Sequence, residues 1–401
     1  MNIAIIDADV VGKKKHRFPN LACMKLSSYY KGLGNRVVLK TDYEHLEDFD
    51  KVFISKVFTA TPVPEGVLTL PNVEYGGTGF FYDKAKPLPY EIEHCKPDYH
   101  LYDEWVAECI SKGAKRNQFE YYTDYSIGFL TRGCFRQCQF CVNRNYKRCS
   151  AHSPLSEFID ESRPKLCFLD DNFFACPKWQ DLLQPVLESG KRFQFKQGLD
   201  ERLLTEDKVR KMSQWEYDGD VIFAFDNIED KELIVSKLIL IRTTVPDWKR
   251  GLKFYVFCGF DKNEIYDTEF WKRDIINLFK RIRILKSFGA KPYVMRFEKV
   301  YESEYSSFYA TVAAWCNQPN MFESFTFRLY SQCSGMRREG YKKYKRDIEG
   351  YLRDVGVKTS TWRAMEKIEN LFPEIADEYF DFTGKPISQY EWLDYLLGGV
   401  E

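Results

Sequence analysis

The chain lacks an excess of either charge. Lysine plus arginine number 59, and aspartate plus glutamate also number 59. This balance argues against a general nucleic-acid coat and leaves room only for a local basic patch. No run of 18 apolar residues occurs, so no membrane-spanning helix is expected. The opening residues, MNIAIIDADVVG, carry no basic stretch and no small-residue cleavage pattern. They read as a first strand rather than a secretion signal, and a cytoplasmic location is the expectation. Low-complexity tracts and internal repeats are missing, and histidine is scarce at five residues. Twelve cysteines in 401 residues do not make a disulfide scaffold. Most of them read as small buried apolar groups.

What the chain does have is apolar and aromatic bulk. It is 44% hydrophobic, with 8 Trp, 26 Tyr and 32 Phe, enough for a sizeable core and for two or three domains. The expected class is α/β, in three parts. Residues 1–90 read as a Rossmann-like parallel sheet domain. Ile3–Ile6, Val37–Leu39 and Val52–Ile54 are its strands. A helix lies between the first two, capped by Asn20, striped by Leu21, Ala22, Leu26, Tyr30 and Leu33, and stopped by Gly34. The turn YGGTGF at 75–80 closes this part, and the Pro- and charge-rich passage that follows makes 91–120 a linker.

Residues 121–300 alternate strand and helix six times. The strands are expected at Ser126–Leu130, Leu166–Leu169, Arg192–Phe195, Val221–Phe225, Lys253–Phe257 and Pro292–Met295, with a helix at Glu206–Met212 among the connections. Six such units suggest a partial (β/α)6 barrel with its site at the C-terminal ends of the strands. Residues 301–401 read as mostly helical; Trp362, Met365, Ile368 and Phe372 keep helical spacing up to Pro373.

The most informative stretch is TRGCFRQCQFC, residues 131–141. Cys134, Cys138 and Cys141 form C-x3-C-x2-C directly after the first strand of the central part. Disulfides use pairs, and a closed zinc or iron–sulfur site uses four protein ligands. Three thiolates can hold three irons of a [4Fe-4S] cube and leave one iron open, and an open position is what makes a metal centre reactive. A zinc site with a distant fourth ligand, or three unrelated thiols, is the plainer alternative. Cys149, Cys167, Cys176, Cys258, Cys316 and Cys333 form no C-x2-C pair that would announce a second cluster.

This loop resembles the signature of the radical S-adenosylmethionine (radical SAM) superfamily, with Phe140 as the aromatic before the last cysteine and TRGC as the lead-in. The resemblance implies that SAM is the missing ligand. It implies reductive cleavage of SAM to methionine and a 5′-deoxyadenosyl radical, which abstracts hydrogen from a substrate. A reductant such as flavodoxin or ferredoxin is implied as partner. The candidate SAM contacts follow the strand ends. CFLDDNFF at 167–174 offers Asp171 to the ammonium, or an ordinary Asx turn. FQFKQGLDERL at 193–203 offers Gln197 and Arg202 to the ribose and carboxylate; Arg202 may equally be read as a surface ion pair. FAFDN at 223–227 offers Asp226 to a ribose hydroxyl, or a helix cap. FCGFD at 257–261 offers Gly259 for close backbone approach to adenine, or a turn glycine. Phe140 would pack near the adenine or simply in the core.

The first domain resembles the cobalamin-binding domain that many radical SAM enzymes carry. DADVVG, Asp7 to Gly12, matches D-x-H-x-x-G with Asp9 in the place of the histidine. An aspartate cannot supply the imidazole ligand, which argues against cobalamin and for a vestigial lid or substrate-docking unit. Near the C-terminus, MRREGYKKYKR at 336–346 sets six basic residues among Tyr341 and Tyr344, a pattern suited to nucleic acid or to a solvated helix face. The substrate is unidentified. The rival readings are an RNA- or nucleobase-modifying radical SAM enzyme, a cobalamin-dependent methylase, and a non-enzymatic iron–sulfur electron carrier or sensor.

Overall fold

The computed structural model describes residues 1–12, 16–334, 350 and 358–382; the basic segment 336–346 lies outside the described residues. The chain forms two compact units, one of residues 1–197 with 215–218 and one of 198–214 with 219–401.

The first unit opens with β1 (Asn2–Asp7). Its side chains alternate between two buried clusters: Ile3 and Ile5 join Met24, Leu26 and Phe53, while Ala4 and Ile6 join Leu46, Val52 and Ile54. Covered on both faces, the strand is apolar along its length. It is the second strand of a parallel sheet ordered β2-β1-β3-β4, with β2 at Arg36–Lys40, β3 at Lys51–Ser55 and β4 at Val73–Gly76. The helix Leu21–Gly32 connects β1 to β2, and the Asn20 side chain accepts from the N–H groups of Ala22 and Cys23, which otherwise lack intrahelical partners. Gly34 takes φ +77° where the chain turns back.

The passage 91–120 does more than connect. Ile92, Tyr99, Leu101, Tyr102, Val106 and Phe119 form the cover of the Ile3/Ile5 face, and the Tyr102 hydroxyl donates to Asp7 at 2.8 Å. The same unit then builds a second parallel sheet, β5 (Tyr125–Gly128), β8 (Lys165–Phe168) and β9 (Arg192–Phe195). Between β5 and β8 lies a short antiparallel pair, β6 (Thr131–Arg132) with β7 (Ser150–Ala151), which brackets the three cysteines.

In the second unit β10 (Val221–Ala224), β11 (Leu252–Cys258) and β12 (Lys291–Arg296) form a parallel sheet, against which the helix Thr268–Ser287 packs. All six expected strands are therefore present within a few residues of their expected ends. They hydrogen-bond as two sheets of three, one in each unit, and a barrel is not shown. The outer edge of β9 is taken by the residues after the next helix: Phe193 donates to Glu216 O at 3.0 Å and accepts from Asp218 N at 2.7 Å. Helices Ser306–Cys316, Pro319–Ser324, Phe327–Cys333, Ser360–Leu371 and Pro373–Tyr379 follow. Trp362, Met365 and Ile368 are buried as their spacing predicts, and Pro373 starts a new helix at a position where its missing N–H has no intrahelical bond to lose. Among the described residues no helix is long and apolar enough to cross a membrane.

Arg163 ties the cover of the first sheet to β5. Its buried guanidinium donates to the carbonyls of Tyr99 at 2.8 Å, Tyr122 at 2.8 Å and Tyr125 at 3.2 Å, and lies over the Tyr99 ring. Replacing Arg163 by Met keeps the apolar stem and strands three buried acceptors. The expected loss of stability is about 3 kcal/mol in denaturant unfolding; a loss near zero contradicts this role.

Candidate functional site

The cysteine loop is seated by the C-terminal tip of β8. The Asp170 carboxylate accepts from Thr131 N and Thr131 Oγ1, both at 2.6 Å, and from Leu130 N at 3.1 Å. Burial pushes this carboxyl up to about 7. Asp171 accepts from Gly133 N at 2.7 Å and from Asn143 Nδ2 at 2.6 Å, so one carboxylate ties the entry of the loop to its exit. Gly133 has φ +93°, and a Cβ there would stand 2.3 Å from Arg148 O, so only glycine fits.

The three cysteines are half-buried, and N–H groups face two of their sulfurs. Cys134 Sγ accepts from Arg136 N and Asn172 Nδ2, and Cys141 Sγ from Asn143 N, each at 3.4 Å. Such donors are the usual outer support of iron–sulfur ligands. The buried cysteines differ. Burial pushes the thiols of Cys149 and Cys167 up to about 12 and that of Cys333 up to about 11, which keeps them neutral and supports their reading as packing residues. Among the described residues, no three His, Cys, Asp or Glu side chains gather closely enough to hold one metal ion. Thiolates that each bind a different iron of a cube stand further apart than ligands that share one ion. The donor set, its exposure and its N–H partners fit a cluster.

Asp171 was expected to meet an ammonium group; its observed partners are the loop's own donors, and its remaining lone pairs are what it can offer a ligand. Phe140 lies in the loop, and Gln197 is exposed two residues beyond β9. These residues and the cysteines belong to the first unit. Arg202, Asp226 and Gly259 belong to the second.

In the second unit, Asp226 Oδ1 accepts from Phe257 N at 3.0 Å, and the Arg281 guanidinium donates to the carbonyls of Phe225, Asp226 and Phe257. Together they tie the C-terminal ends of β10 and β11; Asp226 is not a helix cap. Gly259 has φ +79°, and a Cβ there would stand 2.1 Å from Val300 Cγ2; its N–H donates to Asp274. Its small size is thus required by Val300. Arg202 is ion-paired, to Asp200 at 2.7 Å and Asp230 at 3.6 Å. Its neighbour Glu201 is 2% exposed and accepts from Ala224 N at 3.2 Å. Sequence reading passed over Glu201, Arg281, Asp274 and Asn143. Only Glu201 had a visible signal, an acid between Asp200 and Arg202 in an apolar frame.

At the edge of the first sheet, the aspartate in the histidine's place is held by its own chain. Asp9 accepts from Val57 N at 2.7 Å and from the Thr61 hydroxyl. A Cβ at Gly77 would meet Lys56 O at 2.3 Å, and one at Gly79 would meet Lys56 Cγ at 2.7 Å. The aspartate in the histidine's place and the glycine turn are both engaged with residues 56–61, and Asp9 is not placed as an axial ligand.

No family model matches the chain, and no curated protein matches it. Among solved structures it is similar to the radical S-adenosylmethionine methyltransferase TsrM from Kitasatospora setae, solved with cobalamin and a [4Fe-4S] cluster. The TM-score is 0.48 and the identity 12%, over 74% of this chain and 75% of that one. It is also similar to the cobalamin-dependent S-adenosylmethionine radical enzyme OxsB with aqua-cobalamin bound, at a TM-score of 0.33 and 10% identity, over 92% of this chain and 61% of that one. The apo, selenomethionine-labelled OxsB gives a TM-score of 0.35 and 11% identity over the same shares, 92% and 61%. The chain thus spans less than two thirds of OxsB.

Burial pushes Glu201 from its ordinary 4.5 up to about 8. Its distance from Arg202, 3.9 Å, is too long for a hydrogen bond to offset that burial. The folded chain therefore keeps a proton that the unfolded chain releases above about 4.5, and stability falls as pH rises toward 8, by up to about 1.4 kcal/mol per unit. In Glu201→Gln this slope is expected to vanish while the rest of the pH profile persists. Denaturant midpoints for the two proteins across that range check it, and parallel curves contradict it.

Proposed function

We propose that the chain is a radical SAM enzyme in which Cys134, Cys138 and Cys141 hold a [4Fe-4S] cluster and S-adenosylmethionine takes the iron left open. With both bound, one electron yields methionine and a 5′-deoxyadenosyl radical, which removes hydrogen from the substrate; this chemistry belongs to the cofactors. The observation that carries the proposal is the C-x3-C-x2-C loop between β6 and β7, with N–H groups facing its sulfurs.

The chain supplies position. Asp170 and Asp171 fix the loop at the C-terminal end of β8, where a ligand of the parallel sheet would lie. The free lone pairs of Asp171 receive the SAM ammonium, and Phe140 packs against the adenine. Gln197 serves the ribose. The electron comes from a small donor of the flavodoxin or ferredoxin kind. The proposed reaction contains no corrinoid step.

Anaerobic reconstitution with iron and sulfide, followed by dithionite and SAM, is expected to give 5′-deoxyadenosine and methionine in equal amounts. Replacing any one of the three cysteines by Ala is expected to lower bound iron and abolish both products. Iron retained in full by all three variants would rule the proposal out.

A further inference from the structure

We propose that Tyr82 and Asp83 are positioning residues: they clamp the edge of the N-terminal sheet onto the cysteine loop and fix Cys141 relative to Cys138. The inference rests on the reading of these cysteines as cluster ligands. It gives the N-terminal sheet a task that needs no cofactor of its own.

The Tyr82 hydroxyl donates to Phe140 O at 2.5 Å. That carbonyl belongs to the peptide that joins Phe140 to Cys141. The N–H of the same peptide donates to Cys138 O at 2.9 Å. One peptide unit is thus held at both ends, and the two bonds polarise each other through it. The clamp has two further bonds. The Asp83 carboxylate accepts from Arg144 Nε at 2.7 Å, and the Asp83 carbonyl accepts from Asn145 Nδ2 at 2.8 Å. Partners at 140, 144 and 145 enclose Cys141.

The clamp is anchored from behind. Gly79 N donates to Lys56 O at 2.9 Å, and the Gly77 backbone lies so close to that carbonyl that no Cβ would fit. The glycine turn is therefore a footing for residues 78–84 at the end of β3. Tyr82 itself has φ +50° and ψ −121°, a conformation that a tyrosine rarely adopts. Strain of this kind persists only where surrounding contacts over-determine it. The loop then has two supports. The β8 tip holds Cys134 through Asn172 and ties Gly133 to Asn143 through Asp171, and the N-terminal clamp holds the Phe140–Cys141 peptide.

Tyr82→Phe removes one hydroxyl, and Asp83→Asn weakens the charge-assisted bond to Arg144; Asp83→Glu keeps the charge. All are made in the full chain. In the apoprotein, amide exchange across residues 138–146 is expected to quicken by up to about tenfold in the first two variants, with β1 unchanged. After reconstitution, iron is expected to pass to a chelator faster by a similar factor, and the EPR signal of the reduced cluster to broaden. Asp83→Glu is expected to restore both toward wild type. Exchange across 138–146 that matches wild type in both variants overturns the proposal, and so does faster exchange with unchanged iron loss. If wild type assembles no cluster at all, the cofactor reading fails on its own, and the apoprotein exchange still decides whether the clamp holds the loop.

Discussion

The structure depends on two adjacent carboxylates. Asp170 and Asp171 leave the end of β8 and gather five donors from residues 130–143 between them. A loop with three cysteines and a glycine at positive φ has no regular hydrogen bonding of its own. Its backbone groups must find partners elsewhere or face water. The Asp pair supplies them from a strand that is itself buried, so the loop inherits the rigidity of the sheet. Asp170 gives up solvation to do this, and its raised proton affinity reflects that desolvation.

The same economy of contacts explains the first ninety residues. A parallel sheet presents its functional edge at the C-terminal ends of its strands, and here that edge is filled from within. Asp9 holds the 57–61 turn, Lys56 fills the space over Gly77 and Gly79, and the segment beyond reaches the cysteine loop. The passage 91–120 seals the other side, with Tyr102 bonded to Asp7 in the core. The sheet is thereby a support for its neighbour within the first unit.

Much of this was legible in the sequence because it is local. The Asn20 cap, the apolar first strand, the six strand positions and the Trp362 stripe all follow from period and from neighbouring residues. The cysteine triad was legible because its number and spacing admit few chemistries. What could not be read was long-range. Nothing in periodicity shows that residues 216–218 take the outer edge of β9. Nothing shows that Val300 crowds Gly259, which gives that glycine a packing reason. Tyr82 and Phe140 meet across 58 positions, and Asp83 and Arg144 across 61. Such pairs are set by the fold and leave no mark in either segment alone.

The central claim is that the ligand missing from the three-cysteine loop is S-adenosylmethionine itself. The most direct measurement is the EPR spectrum of the anaerobically reconstituted, reduced protein before and after SAM is added. Direct ligation predicts a shifted or replaced cluster signal on addition of SAM. A cluster signal that SAM leaves untouched contradicts the claim and favours an electron carrier or sensor whose open iron is filled from elsewhere.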